Sequence, residues 1–281
     1  MIAAFLALGA AISWGFADFF GGIQAKRHAI LTILVVGQTA GLVVLAVVVV
    51  VRGQDMPGSA AILAAVLGGL AATAGLALFY RALAAGQISL VTPIAAIGVV
   101  VPVLGGVAQG ERPGSVQVAG IMLAICGVVI ASREHGAAGV DGSQVRTTIT
   151  LALGAAVFLG LGIIGLDAGA NDDAFWTILI FRGVTVALVI AIAIAVRHRP
   201  RPGASDGRII VLIGLLDVLG FTLLAIATTK GLLSVVVVLA SLYPVVAVAL
   251  AHHRLGERLR SVQRLGVVVA MVGVLLIAGG S

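Results

Sequence analysis

Leu6–Ala11 reads LALGAA, and Leu151–Ala156, 145 residues further on, reads LALGAA again. The same offset relates Thr32-Ile33-Leu34 to Thr177-Ile178-Leu179, Gly86 to Gly231 and Ser89 to Ser234. Toward the end of each half stands the spaced pattern E-x5-Q-x2-G-x6-G. It is Glu111, Gln117, Gly120 and Gly127 in the first half and Glu257, Gln263, Gly266 and Gly273 in the second, at an offset of 146. One residue has been inserted between. A register shared along both halves means that one structural unit occurs twice. It also claims the N-terminus for the fold: Met1–Ala11 has no basic region ahead of its apolar run, which continues through Trp14 to about Gly21, and the segment is repeated inside the chain.

Composition says what solvent this unit folds in. Apolar residues make up 61% of the 281, charged residues 10%, and the mean hydropathy is +1.23. Soluble domains carry about 25% charged residues, so polar surface is too scarce here to wrap a body in water. The net charge of +6 comes from basic residues in short loops between apolar runs. They form no stripe, which excludes a nucleic-acid partner and leaves membrane lipid as the surrounding one. Cys126 is the only cysteine and lies in an apolar run, so disulfides and thiolate metal sites are excluded and packing is its expected role.

Ten apolar runs are long enough, at 1.5 Å per residue, to cross about 30 Å of hydrocarbon. Five are Ile2–Gly21, Ile30–Val51, Ser59–Phe79, Ile88–Ala108 and Ser115–Ser132. Five more are Thr147–Asp167, Ala174–Val196, Arg208–Thr228, Leu232–His252 and Val262–Gly279. Backbone groups in lipid must be satisfied within each segment, so these are helices. The chain therefore reads as an all-α polytopic membrane protein of ten spans, with both termini on one side of the cell membrane. The longest break, Arg133–Arg146, is too short for a catalytic domain. Gly37-x3-Gly41, Gly165-x3-Gly169 and Gly106-x3-Gly110 fit the small-xxx-small pattern of close helix packing.

Each half, residues 1–135 and 147–281 around a joining loop at 136–146, holds five spans. An odd number forces the second copy into the membrane from the opposite side. Loop charge agrees, since Lys and Arg favour the cytoplasmic side. Lys26 and Arg27 face a counterpart, Asn171-Asp172-Asp173, with no basic residue. Arg52 alone is matched by Arg197, Arg199, Arg201 and Arg208, and Arg112 alone by Arg254, Arg258 and Arg260. Two inverted five-helix repeats are the architecture of many secondary transporters.

A charge near the bilayer centre costs at least about 2.5–3.5 kcal/mol, so each one requires a reason. Arg182 and Asp217 are the deep ones. They are expected to face the interior, either as a static ion pair or with Asp217 binding substrate or a proton. Asp18, four residues after Trp14, is a further pathway candidate or a group at the membrane surface. Trp14 is counted with the pathway candidates, and Gln38, Thr92, Thr222, Ser241 and Tyr243 can hydrogen-bond a solute, as they can a neighbouring helix. Pro93, Pro102 and Pro244 each remove a helical hydrogen bond, which makes the middle of the fourth and ninth spans a gate, a binding wall or a plain kink. Glu111 and Glu257 stand in tight turns just before helix starts at Ser115 and Ser261, where the helix dipole favours a carboxylate, and read as architectural. Aromatic residues are only 5% of the chain, which argues against a broad aromatic cage.

The sequence resembles the drug/metabolite transporter superfamily, in its ten-helix EamA-type branch with two five-helix repeats. The carriers are Trp14-Gly15, the turns Gly110-Glu111-Arg112 and Gly256-Glu257-Arg258, the Gln and Gly that follow each, and Leu242-Tyr243-Pro244. In the first copy, the place of Pro244 is taken by about Gly98. The resemblance implies a basket of helices around a central cavity, walled by spans 1, 3, 4, 6, 8 and 9 with spans 5 and 10 outside. It also implies export or exchange of small metabolites by alternating access, without a cofactor. The termini of such proteins are usually described as cytoplasmic, whereas the loops facing away from them here carry 13 Lys and Arg against three. No G-x4-G-K-[ST] phosphate loop is present to use ATP. A proton or solute gradient is then the expected drive. A membrane-embedded lipid-processing enzyme and a passive channel or accessory subunit are the competing readings. The enzyme is expected to cluster His, Asp or Glu at one membrane face, and no such cluster is evident in the sequence.

Overall fold

The computed structural model describes residues 1–25, 27–85, 95, 97–131, 142–255 and 261–279, and among them all regular structure is helical. The elements are α1 (Ile2–Ala25), α2 (Ile30–Arg52), α3 (Ser59–Ala85), a 3-10 turn (Ile97–Val99) leading into α4 (Val100–Ala108), and α5 (Ser115–Ala131). There follow α6 (Gly142–Ala195), α7 (Ala204–Thr228), α8 (Leu233–Ala240), α9 (Tyr243–Leu255) and α10 (Ser261–Gly279). Among the described residues five helices, α1, α2, α3, α6 and α7, include stretches long and apolar enough to cross a bilayer. Thr92, Pro93 and Glu257 lie outside the described residues.

The expected break at Asn171–Asp173 is narrower than the sequence suggests. The chain stays helical through Asn171 and Asp172, and only Asp173, at φ −154° and ψ 117°, leaves helical geometry. One residue thus divides α6 into two limbs, because the Asp173 carboxylate takes the backbone N–H of Trp176 at 2.8 Å and starts the second limb.

Side chains sort by size in a manner suited to lipid. Val43, Val47 and Val50 on α2 and Leu63, Leu67 and Leu70 on α3 are exposed at the i, i+4, i+7 spacing of one helix face. In water such stripes would be large apolar patches. Inside, small residues let backbones meet. Gly37 and Gly41 lie on Gly214 and Val218, Gly165 lies on Gly68 and Ala64, and Gly169 on Thr177 and Ala61. The third motif does something else. Gly110 has φ +96°, a conformation suited to glycine, and it closes α4 so that the N–H of Glu111 reaches the Gly106 carbonyl at 3.0 Å. Cys126 is exposed, on the outside of α5, and does not pack inward.

Contacts between helices recur with their partners exchanged. Gly15 on α1 meets Tyr243 and Val246, while Gly160 on α6 meets Gly98 and Val101. Each residue of the second set is related to one of the first by 145 positions. Gly220 meets the indole of Trp14 in the same way that Gly75 meets Leu159. On the periphery α5 and α10 pair together, with Gly127 over Ala270 and Gly273 over Ala124.

Polar contacts hold the two ends of α2. At its N-terminal end His28 pairs with Asp206 at 2.9 Å and Thr32 bonds His198 at 2.8 Å. At the other end Arg52 pairs with Asp173 at 3.0 Å and covers the Phe175 ring at 4.1 Å, while the Trp176 indole donates to the Gln54 carbonyl at 3.1 Å. The Arg27–His28 and His198–Asp206 segments therefore share one face of the protein. Arg52–Gly58 and Asp172–Trp176 share the other.

Candidate functional site

Three helices bring one polar side chain each to a common point. Arg182 comes from the second limb of α6, Asp217 from α7 and Gln38 from α2. Nη2 of Arg182 donates to Oδ2 of Asp217 at 2.5 Å, and Nε2 of Gln38 donates to the same oxygen at 3.0 Å. Nη1 of Arg182 donates to Oε1 of Gln38, which closes the triangle. The Arg182 residue is 3% exposed, whereas 21% of the Asp217 side chain is accessible. At 1.5 Å per residue Asp217 lies roughly 16–20 Å from either end of α7, near its middle. The guanidinium is thus neutralised and held, and the carboxylate keeps an open edge.

Aromatic rings enclose this triangle. The Arg182 guanidinium lies 4.2 Å over the ring of Phe221, one turn after Asp217 on the same face of α7. Phe221 in turn meets Trp14 edge-on at 4.9 Å and Phe181 at 5.6 Å. The Trp14 indole N–H donates to the backbone carbonyl of Asp217 at 3.3 Å, and the preceding Ser13 hydroxyl donates to that of Leu216 at 2.7 Å. Trp14 also touches Tyr243 edge-on at 6.1 Å. Gly220 admits the indole, since a Cβ there would strike it. Nε of Arg182 is buried and has no hydrogen-bond partner among the described residues.

Trp14 and Tyr243 also border a cavity of about 110 Å³. Its remaining walls include Gly98 and Val99, Leu159 and Ile163 on α6, Leu224 on α7, and Val237 and Ser241 at the α8–α9 junction. Trp14 with Leu159, and Gly98 with Tyr243, are pairs related by the 145-residue offset, so the hollow lies between the two halves.

A family model described as the EamA-like transporter family matches residues 1–133 and, a second time, 146–279. The chain belongs to that family. An uncharacterized protein of Methanocaldococcus jannaschii is 29% identical over 137 residues, which are 96% of that protein and 47% of this chain. A solved structure titled "Crystal structure of protein" superposes with a TM-score of 0.83 at 16% identity, covering 98% of this chain and 94% of the other. That similarity establishes a shared fold. The EamA-like chain is accordingly an all-helical, multi-pass membrane protein of a transporter family.

The other residues singled out in the sequence fall in several places. α1 continues to Ala25, so Asp18 lies about 10 Å inside its end. Pro102 stands in the first turn of α4 and Pro244 in that of α9, where a missing N–H leaves no helical bond broken. The interruptions are instead the 3-10 turn at Ile97–Val99 and the turn at Ser241–Leu242, which start one position apart when the copies are aligned by the 145-residue offset. Glu111 serves a different helix from the one expected. Its carboxylate accepts the N–H groups of Leu233 and, at 2.9 Å, Ser234, so it caps α8 and not α5.

The sequence reading missed Phe181 and Phe221. The signal for Phe221 was its i+4 spacing from Asp217, which puts the two on one face of the helix.

Proposed function

We propose that this EamA-like protein is a secondary transporter that exports or exchanges small metabolites or drug-like solutes by alternating access, using a proton or solute gradient and no cofactor. Ten spans in two inverted copies, residues 1–135 and 147–281, would cross the cell membrane with both termini on the same side. The observation that carries the reading is the exchange of partners in the helix contacts around one hollow. Gly15 with Tyr243 and Val246, and Gly160 with Gly98 and Val101, are the same contact made once from each half. Two equivalent arrangements of the halves are then close in energy, and a carrier that opens alternately to either side needs two such arrangements. The half-length archaeal relative supports the same unit, because nearly all of it matches less than half of this chain.

Asp217 is the proposed substrate or proton group, and Arg182 and Gln38 fix its carboxylate. Trp14, Asp18 and Tyr243 line the pathway beside it, with Thr92, Pro93, Pro102 and Pro244 contributed by the fourth and ninth spans. Flux measured on purified protein in liposomes, with a metabolite panel and an imposed pH gradient, tests this reading. Gradient-driven accumulation of at least one solute is expected. No flux of any solute above protein-free vesicles, with and without the gradient, would overturn it.

A further inference from the structure

We propose that Asp18, together with the ring faces of Trp14 and Tyr243, recognises the ammonium group of a small organic cation, so that the transported solutes are amines. The binding claim stands on the geometry, and its extension to transport rests on the carrier reading above.

Asp18 is exposed although it lies about 10 Å inside the end of α1. Among the described residues no hydrogen bond or ion pair occupies its carboxylate. An unpaired charge at that depth persists where water or a counter-ion reaches it. Three observations place it next to the hollow, just outside the residues that line it. It lies one turn after Trp14, on the same face of α1. It is within Coulombic reach of Asp217 and of Tyr243. Its counterpart 145 residues on, Ile163, lines the cavity.

The charges around it favour a cation. With Asp18 ionised, as beside a bound cation, Asp18 on α1, Asp217 on α7 and Arg182 on α6 sum to one negative charge, and α9 and α2 add the neutral Tyr243 and Gln38. Arg182 is already taken by Asp217 and Gln38, so among the described residues no basic group here is free to hold an anion. Trp14 and Tyr243 border the cavity, and an ammonium over such rings is attracted by their quadrupoles. The hollow of about 110 Å³ holds a few waters' volume, at roughly 30 Å³ each, which suits a simple amine head and not a bulky onium ion. Leu159, Ile163 and Gly98 occupy the equivalent positions of Trp14, Asp18 and Tyr243, so the two walls differ at these three places and the amine is oriented.

The chain has two tryptophans, so Trp176→Phe, distant from the site beside Gln54, leaves Trp14 as a single fluorescent reporter. This protein is titrated in detergent with 2-phenylethylammonium, with its neutral isostere 2-phenylethanol and with 3-phenylpropionate. The cation should give a saturable signal at a concentration at least tenfold lower than the alcohol, with the carboxylate weakest. Asp18→Asn should erase the difference between cation and alcohol, and Asp18→Glu should keep it. Equal affinity for cation and alcohol in the protein with Asp18 intact overturns the proposal by itself, whether or not the variants fold. So does an unchanged preference in a folded Asp18→Asn protein. The same proteins in liposomes separate the two claims. Selective amine binding without flux defeats the carrier reading alone, whereas flux of neutral or anionic solutes without amine preference defeats this inference alone.

Discussion

The triangle of Gln38, Arg182 and Asp217 has a counterpart in the other half of the protein, and the counterpart is bare. Shifted by 145 residues, Arg182 becomes Gly37, Asp217 becomes Ala72, Phe221 becomes Leu76 and Trp14 becomes Leu159. The backbones pack alike in both places: Gly220 lies against Trp14, and Gly75 lies against Leu159. Packing of these helices therefore requires no charge. An ion pair buried in place of well-packed apolar groups is neutral to destabilising by about 1–4 kcal/mol. The polar half consequently carries groups that the fold does not demand, and one of their neighbours, Trp14, borders the cavity.

The largest effect is expected where both halves depend on the same close approach. Gly214→Leu would drive a side chain into the Gly37 carbonyl, which belongs to a facing helix backbone that cannot step aside. A loss of ~3 kcal/mol or more is expected, seen as the disappearance of the monodisperse peak in size-exclusion chromatography. A well-folded variant would mean that the helices are free to separate at this point.

Asp217→Asn comes next, because it leaves Arg182 charged, buried and without its counter-ion. A cost of about 3 kcal/mol is expected, read as a lower thermal midpoint in detergent together with loss of flux. The double variant Arg182→Met, Asp217→Leu copies the apolar character of the other half. It should recover most of the midpoint and none of the flux. Full flux with unchanged pH dependence in Asp217→Asn would leave the pair a purely structural role.

Gly75→Ala and Gly220→Ala then probe the two halves at equivalent points. A Cβ at Gly75 would sit 2.7 Å from the backbone nitrogen of Leu159, whereas one at Gly220 would sit 2.6 Å from the indole Nε1 of Trp14. A backbone cannot yield but a side chain can. Gly75→Ala should cost about 2 kcal/mol of stability with flux retained per folded molecule. Gly220→Ala should cost less and impair flux more. Reversal of that order in paired thermal and liposome measurements would show that Trp14 is not specially placed.

The smallest effect belongs to Trp14→Phe, which keeps an aromatic ring and removes the N–H donated to the Asp217 carbonyl. A loss of about 1 kcal/mol is expected by thermal denaturation, with a raised apparent KM for the transported solute.

Much of the plan was legible in the residues. The repeated LALGAA and the apolar runs pointed to a doubled, all-helical membrane fold, and Trp14-Gly15, the two Gly-Glu-Arg turns with the Gln and Gly after them, and Leu242-Tyr243-Pro244 pointed to the family. Arg182 and Asp217 stood out as deep charges, and Gly37-x3-Gly41 as a packing face. Less legible were the partners. Gln38 joins Arg182 across 144 positions, and Trp14 reaches Asp217 across 203. Glu111 reads as the start of α5 by proximity and in fact caps α8. Gly110, the end of a small-residue motif by spacing, closes a turn.

What the amino-acid sequence determined alone is the solvent, the helices and the doubling, because hydropathy and register are sums over many residues along one chain. What only the tertiary structure decided is which of two equivalent places became polar, where the hollow lies and which side chains face it. Helices rich in Gly, Ala and Val can rotate or slide against one another with little change in apolar contact. Their depth and facing are settled by a few backbone approaches, such as Gly37 on Gly214, that appear only when the helices are packed together.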